Sequence, residues 1–264
     1  TATISDGVGS IGADVFNKCT AIESITLPYA GDTLENVNQE DSRIYVLSRL
    51  FDNKVIDKTY GAICNGLTSY IPNSLKKITI TGGTRIPTDA FNGFKNLTEI
   101  NLPDTITSIG DNAFEGCGSL SALPNIKNVK TIGSYAFANC KSLESVTIPS
   151  ATDVLGNYAF SNCTSLKSAT ISDGVGSIGV YVFDKCTAIE SITLPYAGTS
   201  LESVNKADSS LNIVKKLFNK HVEDKTYSIY YDGYRHIPNS LKKITITGGT
   251  RIPTDAFNGF KNLT

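Results

Sequence analysis

The sequence predicts a solenoid of the α/β type, mostly β, in which short strands from successive coils stack into one long parallel sheet. Two observations lead to this prediction. The segment that begins at Ala2 begins again at Ala169, and the two copies then run in parallel to the end of the chain. A shorter repeat of 23 residues is marked by five phenylalanines: Phe91, Phe114, Phe137, Phe160 and Phe183. A fixed short period is typical of coils that pack on one another.

The first part of each repeat predicts a strand. In residues 144–148 polar and apolar side chains alternate, as they do in a strand with one buried face. Such a segment is too short to be stable alone, but copies stacked about 4.8 Å apart form a parallel sheet. A proline such as Pro103 or Pro149 follows the strand and helps to end it. The repeat that begins at Leu120 fits less well, because Pro124 and Asn125 fall at strand positions.

The second part of each repeat predicts a turn and then a core residue. An Ile-Gly pair such as Ile132-Gly133 marks the turn, at a backbone angle that suits glycine. An Ala-Phe pair follows and is expected to point inward, so that each phenylalanine fills the centre of its coil. Burial of each ring is worth about 2–3 kcal/mol.

Two spans are about twice as long as an ordinary repeat, from Ile22 to Leu75 and from Ile189 to Leu241. We interpret each span as two lengthened coils, the second of which opens at residues 47–50 or 214–217. A short helix over residues 42–51 is the alternative, since its apolar residues also fit one helical face. With two coils in each span, the chain holds about eleven coils.

The lengthened coils, residues 28–74 and 195–240, each contain a hairpin signal. Asn65-Gly66 and Asp232-Gly233 stand between apolar runs, and such pairs favour tight two-residue turns. We expect a hairpin that projects from the solenoid at each pair and that presents aromatic and charged side chains to a partner. The alternative is that the rings only pad the hairpin against the coil below. The candidate binding residues are Tyr60, Tyr70, Tyr227, Tyr230, Tyr231, Tyr234, Arg235 and His236.

The domain organisation follows from the long repeat. We expect one continuous solenoid over residues 1–264, with super-repeat copies at residues 1–97 and 168–264 that are offset by seven coils. Solenoids need polar capping repeats for solubility, and neither end of this sequence carries one. We therefore expect a fragment of a longer array, whose open ends can stack head to tail with further copies of the chain.

Composition excludes several classes of partner. The formal net charge is −1, and basic residues are scattered along the chain, so no nucleic-acid footprint is expected. No apolar run approaches the roughly 18 residues that a membrane span needs, and membrane insertion is not expected either.

The repeat resembles a known family. Residues 132–143, Ile-Gly-Ser-Tyr-Ala-Phe-Ala-Asn-Cys-Lys-Ser-Leu, and residues 162–168, Asn-Cys-Thr-Ser-Leu-Lys-Ser, are similar to the BspA-like class of leucine-rich repeat. The resemblance implies a curved, right-handed leucine-rich-repeat coil with its parallel sheet on one face. It also implies an extracellular or cell-surface location and adhesion to a host or bacterial surface protein or glycoprotein. It implies no shared catalytic residues.

Two files of small polar residues recur at fixed coil positions. Cysteines stand where Phe94 and Phe260 stand in other coils, which indicates buried reduced thiols rather than a metal ladder or a chain of disulfides. These are Cys19, Cys117, Cys140, Cys163 and Cys186. Cys64 lies outside the file. It has either a structural role or, if it is exposed, a reactive thiol. Threonines recur at the middle outward strand position, where they could order water or bind ice, or simply suit a solvated sheet. These are Thr3, Thr26, Thr79, Thr147, Thr170, Thr193 and Thr245.

No catalytic constellation is visible. His221 and His236 have no nucleophile or paired carboxylate at a recognisable spacing, and no metal or cofactor site is predicted. The sequence therefore predicts a non-enzymatic adhesion or protein-binding solenoid. The alternative is a structural spacer or stalk within a large multidomain surface protein.

Overall fold

The structure is a computed structural model, and it describes residues 1–30, 50–51, 60–62, 70–196, 217–218, 227–229, 236–248, 252, 256–257 and 260–264. Over these ranges the chain is a solenoid of stacked parallel strands, and none of the described residues is helical. The strands are β1 (Ala2–Thr3), β2 (Ser24–Leu27), β3 (Tyr60–Ala62), β4 (Tyr70–Pro72), β5 (Lys77–Ile80), β6 (Arg85–Ile86), β7 (Glu99–Asn101), β8 (Ser108–Ile109), β9 (Thr131–Ile132), β10 (Ser145–Ile148), β11 (Val154–Leu155), β12 (Ser168–Ile171), β13 (Ser177–Ile178), β14 (Ser191–Leu194), β15 (Tyr227–Ile229), β16 (His236–Pro238) and β17 (Lys243–Ile246).

One face of the solenoid carries the predicted strands. β1, β2, β5 and β7 form one parallel four-stranded sheet, and β10, β12, β14 and β17 form another. Equivalent residues pair in line, so that Ile25 lies beside Ile78 and Ile78 beside Ile100. Because side chains alternate across a strand, these three isoleucines all point into the core, where they are buried.

The predicted parallel-sheet solenoid is confirmed, but the sheet on this face is not continuous, because the coil at residues 120–126 contributes no strand to it. Pro124 has no N–H to donate to the neighbouring coil. The Asn125 side chain takes over part of that role, since its Nδ2 donates to the Leu102 carbonyl oxygen at 3.5 Å and to Asp104 Oδ1 at 2.7 Å. The sheet therefore divides into two at this coil.

A second parallel sheet, which the sequence analysis did not predict, spans the division. Its five strands follow the order β13-β11-β9-β8-β6, and each has only two residues. The apolar residue of the Ile-Gly pair, or its equivalent, lies in every strand and pairs in line with its neighbours. These residues are Ile86, Ile109, Ile132, Leu155 and Ile178. This second face keeps the coils in register where the first face is interrupted.

The glycine of the Ile-Gly pair permits neighbouring coils to approach closely. A Cβ on Gly133 would lie 2.5 Å from Asp111 Oδ1 and 2.6 Å from the Asp111 backbone nitrogen, and a Cβ on Gly179 would lie 2.6 Å from the Asn157 backbone nitrogen. Neither glycine has a positive φ. The predicted reason for this glycine, its backbone angle, is therefore wrong, and lack of space for a side chain is the physical reason.

The centre of the solenoid is a column of phenylalanine rings, as predicted. Phe91, Phe114, Phe137, Phe160 and Phe183 are fully buried. Successive ring centroids lie 5.0, 4.9, 5.4 and 6.1 Å apart, with interplanar angles of 24° or less. Each coil thus covers the ring of the next one, which is the reason why a single coil would not be stable alone.

Each lengthened span is one coil with insertions, and the interpretation as two coils is wrong. β2 pairs directly with β5, and β14 pairs directly with β17. The Phe16 N–H donates to the Leu50 carbonyl oxygen at 2.7 Å, and the Phe183 N–H donates to that of Leu217 at 3.1 Å. Leu50 and Leu217 therefore occupy the alanine position of an Ala-Phe pair and do not open a strand. The solenoid accordingly has fewer turns than eleven. Residues 42–49, the site of the alternative helix, lie outside the described residues.

The predicted hairpins are confirmed as antiparallel strand pairs. β3 pairs with β4, and β15 pairs with β16. The turn pairs Asn65-Gly66 and Asp232-Gly233, and also Cys64, lie outside the described residues.

Candidate binding surfaces

The two hairpins join the solenoid in the same way. Ile71 in β4 and Ile237 in β16 are buried in the core. Two residues after each hairpin, a serine hydroxyl donates to two carbonyl oxygens of the preceding coil. Ser74 Oγ donates to Thr20 and Ile22 at 2.8 and 2.7 Å, and Ser240 Oγ makes the equivalent bonds at 2.9 and 2.6 Å. Each hairpin is therefore anchored at its base by apolar burial and by hydrogen bonds.

Four of the eight predicted binding residues lie in the hairpin strands. Tyr60 pairs with Pro72, and Tyr227 pairs with Pro238, so these two tyrosines hold equivalent places. Tyr70 pairs with Ala62, and His236 holds the equivalent place opposite Ile229. The remaining four predicted residues lie outside the described residues: Tyr230, Tyr231, Tyr234 and Arg235.

The threonine file lies on the outer face of the two four-stranded sheets. Thr3 pairs with Thr26 and Thr26 with Thr79 in the first sheet, where Asn101 then takes the position. In the second sheet the file is unbroken through Thr147, Thr170, Thr193 and Thr245. The division between the sheets thus separates the file into two rows of hydroxyl groups.

The cysteine file is mostly internal. Cys117, Cys140, Cys163 and Cys186 are fully buried free thiols, whereas Cys19 in the first coil is exposed. Each buried Sγ donates to the carbonyl oxygen of a core phenylalanine at 3.1–3.3 Å. Burial in apolar surroundings raises the pKa of the Cys117, Cys140 and Cys186 thiols. These protonated thiols pack as small apolar side chains, as predicted, and Cys19 departs from that prediction.

A surface feature that the sequence analysis missed is a row of stacked tyrosines. Tyr135, Tyr158 and Tyr181 hold the same position in three successive coils, and we call them the tyrosine ladder. The rings of Tyr135 and Tyr158 are parallel within 4° at a centroid distance of 4.7 Å, and those of Tyr158 and Tyr181 lie 5.1 Å apart at 46°. The signal in the sequence is the 23-residue spacing of these tyrosines, but a turn position alone does not show on which side of the coil its side chain lies.

The ladder residues have left-handed backbone conformations, with φ of 57°, 56° and 59°. A non-glycine residue in this region costs roughly 1–2 kcal/mol, and asparagine and aspartate tolerate it best. Other coils use those tolerant residues at the same position with the same φ: Asp14, Asp89 and Asn112. The coil therefore does not need tyrosine here, and stacking of rings, worth about 0.5–1.5 kcal/mol per pair, only offsets the backbone cost.

Backbone hydrogen bonds hold the ladder rigidly. The Tyr135 N–H donates to the Asn157 carbonyl oxygen at 2.9 Å, and the Tyr158 N–H donates to that of Val180 at 3.0 Å.

Burial raises the pKa of the Tyr158 hydroxyl, and the neighbouring phenols and Asp184 raise it further. The Tyr158 hydroxyl therefore remains a neutral donor and acceptor at ordinary pH.

The described residues offer a partner aromatic, hydroxyl and amide groups for non-covalent contacts. Among them, no three His, Cys, Asp or Glu side chains meet in a group that could hold a metal ion. Nor do these parts of the chain contain a helix with the length and apolar character that a membrane crossing demands. His221 lies outside the described residues. Aromatic rings, hydroxyls and amides on a rigid frame can bind a partner by burial and hydrogen bonding.

Comparison with known families gives a match along nearly the whole chain. A model of the BspA type leucine rich repeat region, in 6 copies, matches residues 1–57, 64–190 and 130–264. A comparison with curated proteins found no match for this chain.

Similar chains are also found among solved structures. The chain is similar to a leucine rich repeat protein of T. pallidum, at 22% identity and a TM-score of 0.52, over 80% of this chain and 90% of that one. It is also similar to the pneumococcal vaccine antigen PcpA, at 16% identity and a TM-score of 0.42, over 70% of this chain and 44% of that one. At this identity, the likeness to the T. pallidum protein is evidence of the fold alone.

Proposed function

Because this chain belongs to the BspA-type leucine-rich repeat family, we propose that it is a non-enzymatic binding protein that acts outside the cell. In this proposal the solenoid is secreted or displayed on a cell surface and adheres to a host or bacterial surface protein or glycoprotein. The family model supports a repeat scaffold of this kind.

The observation that carries the proposal is that one frame presents two different hairpins. The anchors are matched pairs, Ile71 with Ile237 and Ser74 with Ser240. Within that frame Tyr70 in the first hairpin is replaced by His236 in the second. Variable side chains on loops that a rigid scaffold holds in place are typical of recognition surfaces.

The residues of the second hairpin suit an interface. Tyrosine and histidine combine an apolar body with a polar end, and tyrosine and arginine are enriched among the residues that dominate binding energy. Replacement of one such residue by alanine commonly weakens binding by 2 kcal/mol or more, which is a factor of about 30 in affinity.

The test replaces Tyr230, Tyr231 and Tyr234 by alanine in the full chain. Binding is measured by biolayer interferometry on immobilised matrix proteins, on mucin and on whole bacterial cells. We expect at least a tenfold loss of affinity for the surface that the unaltered chain binds, with unchanged circular dichroism. Glu144→Ala is the matched control, because Glu144 is exposed and lies before β10, at a distance along the chain from both hairpins.

Two results would contradict the proposal. Unchanged affinity in the triple variant would show that the hairpin is not the binding surface. Absence of saturable binding to every matrix, mucin and cell surface would instead support the alternative, a spacer or stalk.

A further inference from the structure

We propose that the free face of the Tyr135 ring binds one sugar unit of a neutral glycan. The inference rests on the proposed extracellular binding function and deepens it, since it names a ligand class and a second surface on the same solenoid. It uses the tyrosine ladder and the coil that precedes it, and it does not involve the hairpins.

The Tyr135 ring is open on one side. Tyr158 stacks on one face at 4.7 Å, and in the described part of the chain it is the one ring in contact with Tyr135. On the other side, the equivalent position of the preceding coil is held by Asn112, whose side chain has no ring. Tyr135 is accordingly 39% exposed, whereas Tyr158 and Tyr181 are half-buried. The ladder thus ends in a partly exposed ring that has no aromatic neighbour on its second face among the described residues.

Polar groups lie beside this ring. The side-chain amide of Asn112 makes no hydrogen bond within the described residues, and Asn112 is only partly buried. In the same turn, Asp111 Oδ1 accepts a hydrogen bond from the Ser134 N–H at 2.7 Å, and Asp111 is exposed. A pyranose ring has an apolar C–H face and hydroxyls at its rim. The C–H face matches the open ring, while the hydroxyls match an amide and a carboxylate.

The local charge favours a neutral sugar over an acidic one. Asp111 is exposed in the turn next to Tyr135, and Asp89 holds the ladder position two coils earlier. Desolvation raises the pKa of Glu115, and the charge of Asp89 raises it further, which shows that these two carboxyl groups lie close together. Sulfated or carboxylated sugars would be repelled by these groups. A lysine-rich peptide would be attracted and is therefore the competing occupant in the test.

The two long repeats differ at the ladder position. Residues 1–30 and 168–197 differ at four positions, and three of these lie in the turn that carries Tyr181. Ala13 corresponds to Val180, Asp14 to Tyr181, and Asn17 to Asp184. Asp14 and Tyr181 have φ of 58° and 59°, so the backbone is the same with either residue. The tyrosines are therefore additions to the coil surface and not requirements of the coil.

The experiment uses the full chain and four neutral hexasaccharides, of glucose, galactose, mannose and N-acetylglucosamine. Binding is measured by isothermal titration calorimetry and by tyrosine fluorescence, which is readable because the chain has no tryptophan. We expect saturable binding of at least one oligosaccharide. Tyr135→Asn should weaken it at least tenfold, since asparagine fits the backbone but offers no ring. Tyr135→Phe should retain most of the affinity, because the ring face remains.

Lys167→Ala is the control variant, since Lys167 is exposed and lies immediately before β12 on the other face. Equal sugar affinity in Tyr135→Asn and in the unaltered chain would overturn the inference, as would failure of all four oligosaccharides to bind. Binding of a lysine-rich peptide at Tyr135 in their place would also overturn the glycan assignment.

Failure of this inference is distinguishable from failure of the proposed function. Surface binding by the hairpin variant tests the role of Tyr230, Tyr231 and Tyr234. Loss of sugar binding concerns Tyr135 alone. Surface adhesion without sugar binding would therefore overturn the glycan site and leave the proposed function intact.

Discussion

Two files of aromatic rings run along this solenoid only two residues apart in each coil. The phenylalanine column is fully buried, and its rings stack at 4.9–6.1 Å through the core. The tyrosine ladder lies outside the core, has ring centroids 4.7 and 5.1 Å apart, and has left-handed backbone angles. The two files have similar ring spacing because both follow the stacking of the coils.

The difference lies in what each file is needed for. A phenylalanine, including Phe51 and Phe218 in the coils with insertions, occupies the inner position throughout the described coils. The outer position accepts Asp14, Asp89 or Asn112 with the same backbone. The inner file is therefore required for folding, whereas the outer file is free to vary and can serve binding.

Phe137→Ala should have the largest effect on stability. It removes a fully buried ring from the middle of the column, between Phe114 and Phe160. The loss of burial and the cavity should lower the free energy of unfolding by about 3–5 kcal/mol. Urea denaturation followed by circular dichroism measures this value. A loss below about 1 kcal/mol would show that the column does not hold the coils together.

Stability should also decrease in alkaline solution, because of the buried thiols. Burial raises the pKa of Cys140 above its ordinary value of 9.0, so the folded chain keeps a proton that the unfolded chain loses. The contribution of the buried Cys140 thiol to the free energy of unfolding is constant below about pH 9 and decreases as the pH rises above 9. Urea denaturation at pH 8 and pH 10 checks the sign. Cys140→Ala should reduce the dependence of the free energy of unfolding on pH. An equal dependence in this variant and in the unaltered chain would show that the Cys140 thiol is not the cause.

Tyr135→Asn should have the smallest effect on stability. It relieves the backbone cost of tyrosine at a φ of 57° but also removes the stacking on Tyr158. Since both quantities are about 1 kcal/mol, the free energy of unfolding should change by less than about 1 kcal/mol. The same urea denaturation decides the result. A loss as large as that for Phe137→Ala would remove the distinction between the two files.

Much of the fold could be predicted from local pattern. Alternation in residues 144–148 predicted β10, and the poor fit of Pro124 and Asn125 marked the coil where the first face is divided. The Asn-Gly and Asp-Gly pairs predicted both hairpins. The turn count could not be predicted, because an insertion and an additional coil lengthen the sequence equally. The pairing of β2 with β5 and of β14 with β17 distinguishes them.

The candidate surfaces were predicted in part. Aromatic composition pointed to the hairpins, four of whose predicted residues lie in described strands. The ladder was missed because a single turn sequence does not show whether its tyrosine lies inside or outside the coil. That depends on φ and on the position of the next coil.

The sequence by itself determined that this chain is a solenoid with buried phenylalanines, because a period of 23 residues and strict alternation require equivalent places in successive coils. The tertiary structure decided which coils are neighbours, why Gly133 has no side chain and which aromatic rings face solvent. These properties depend on distances between coils, such as the 2.5 Å that would separate a Cβ on Gly133 from Asp111 Oδ1. Such distances arise only when the coils stack.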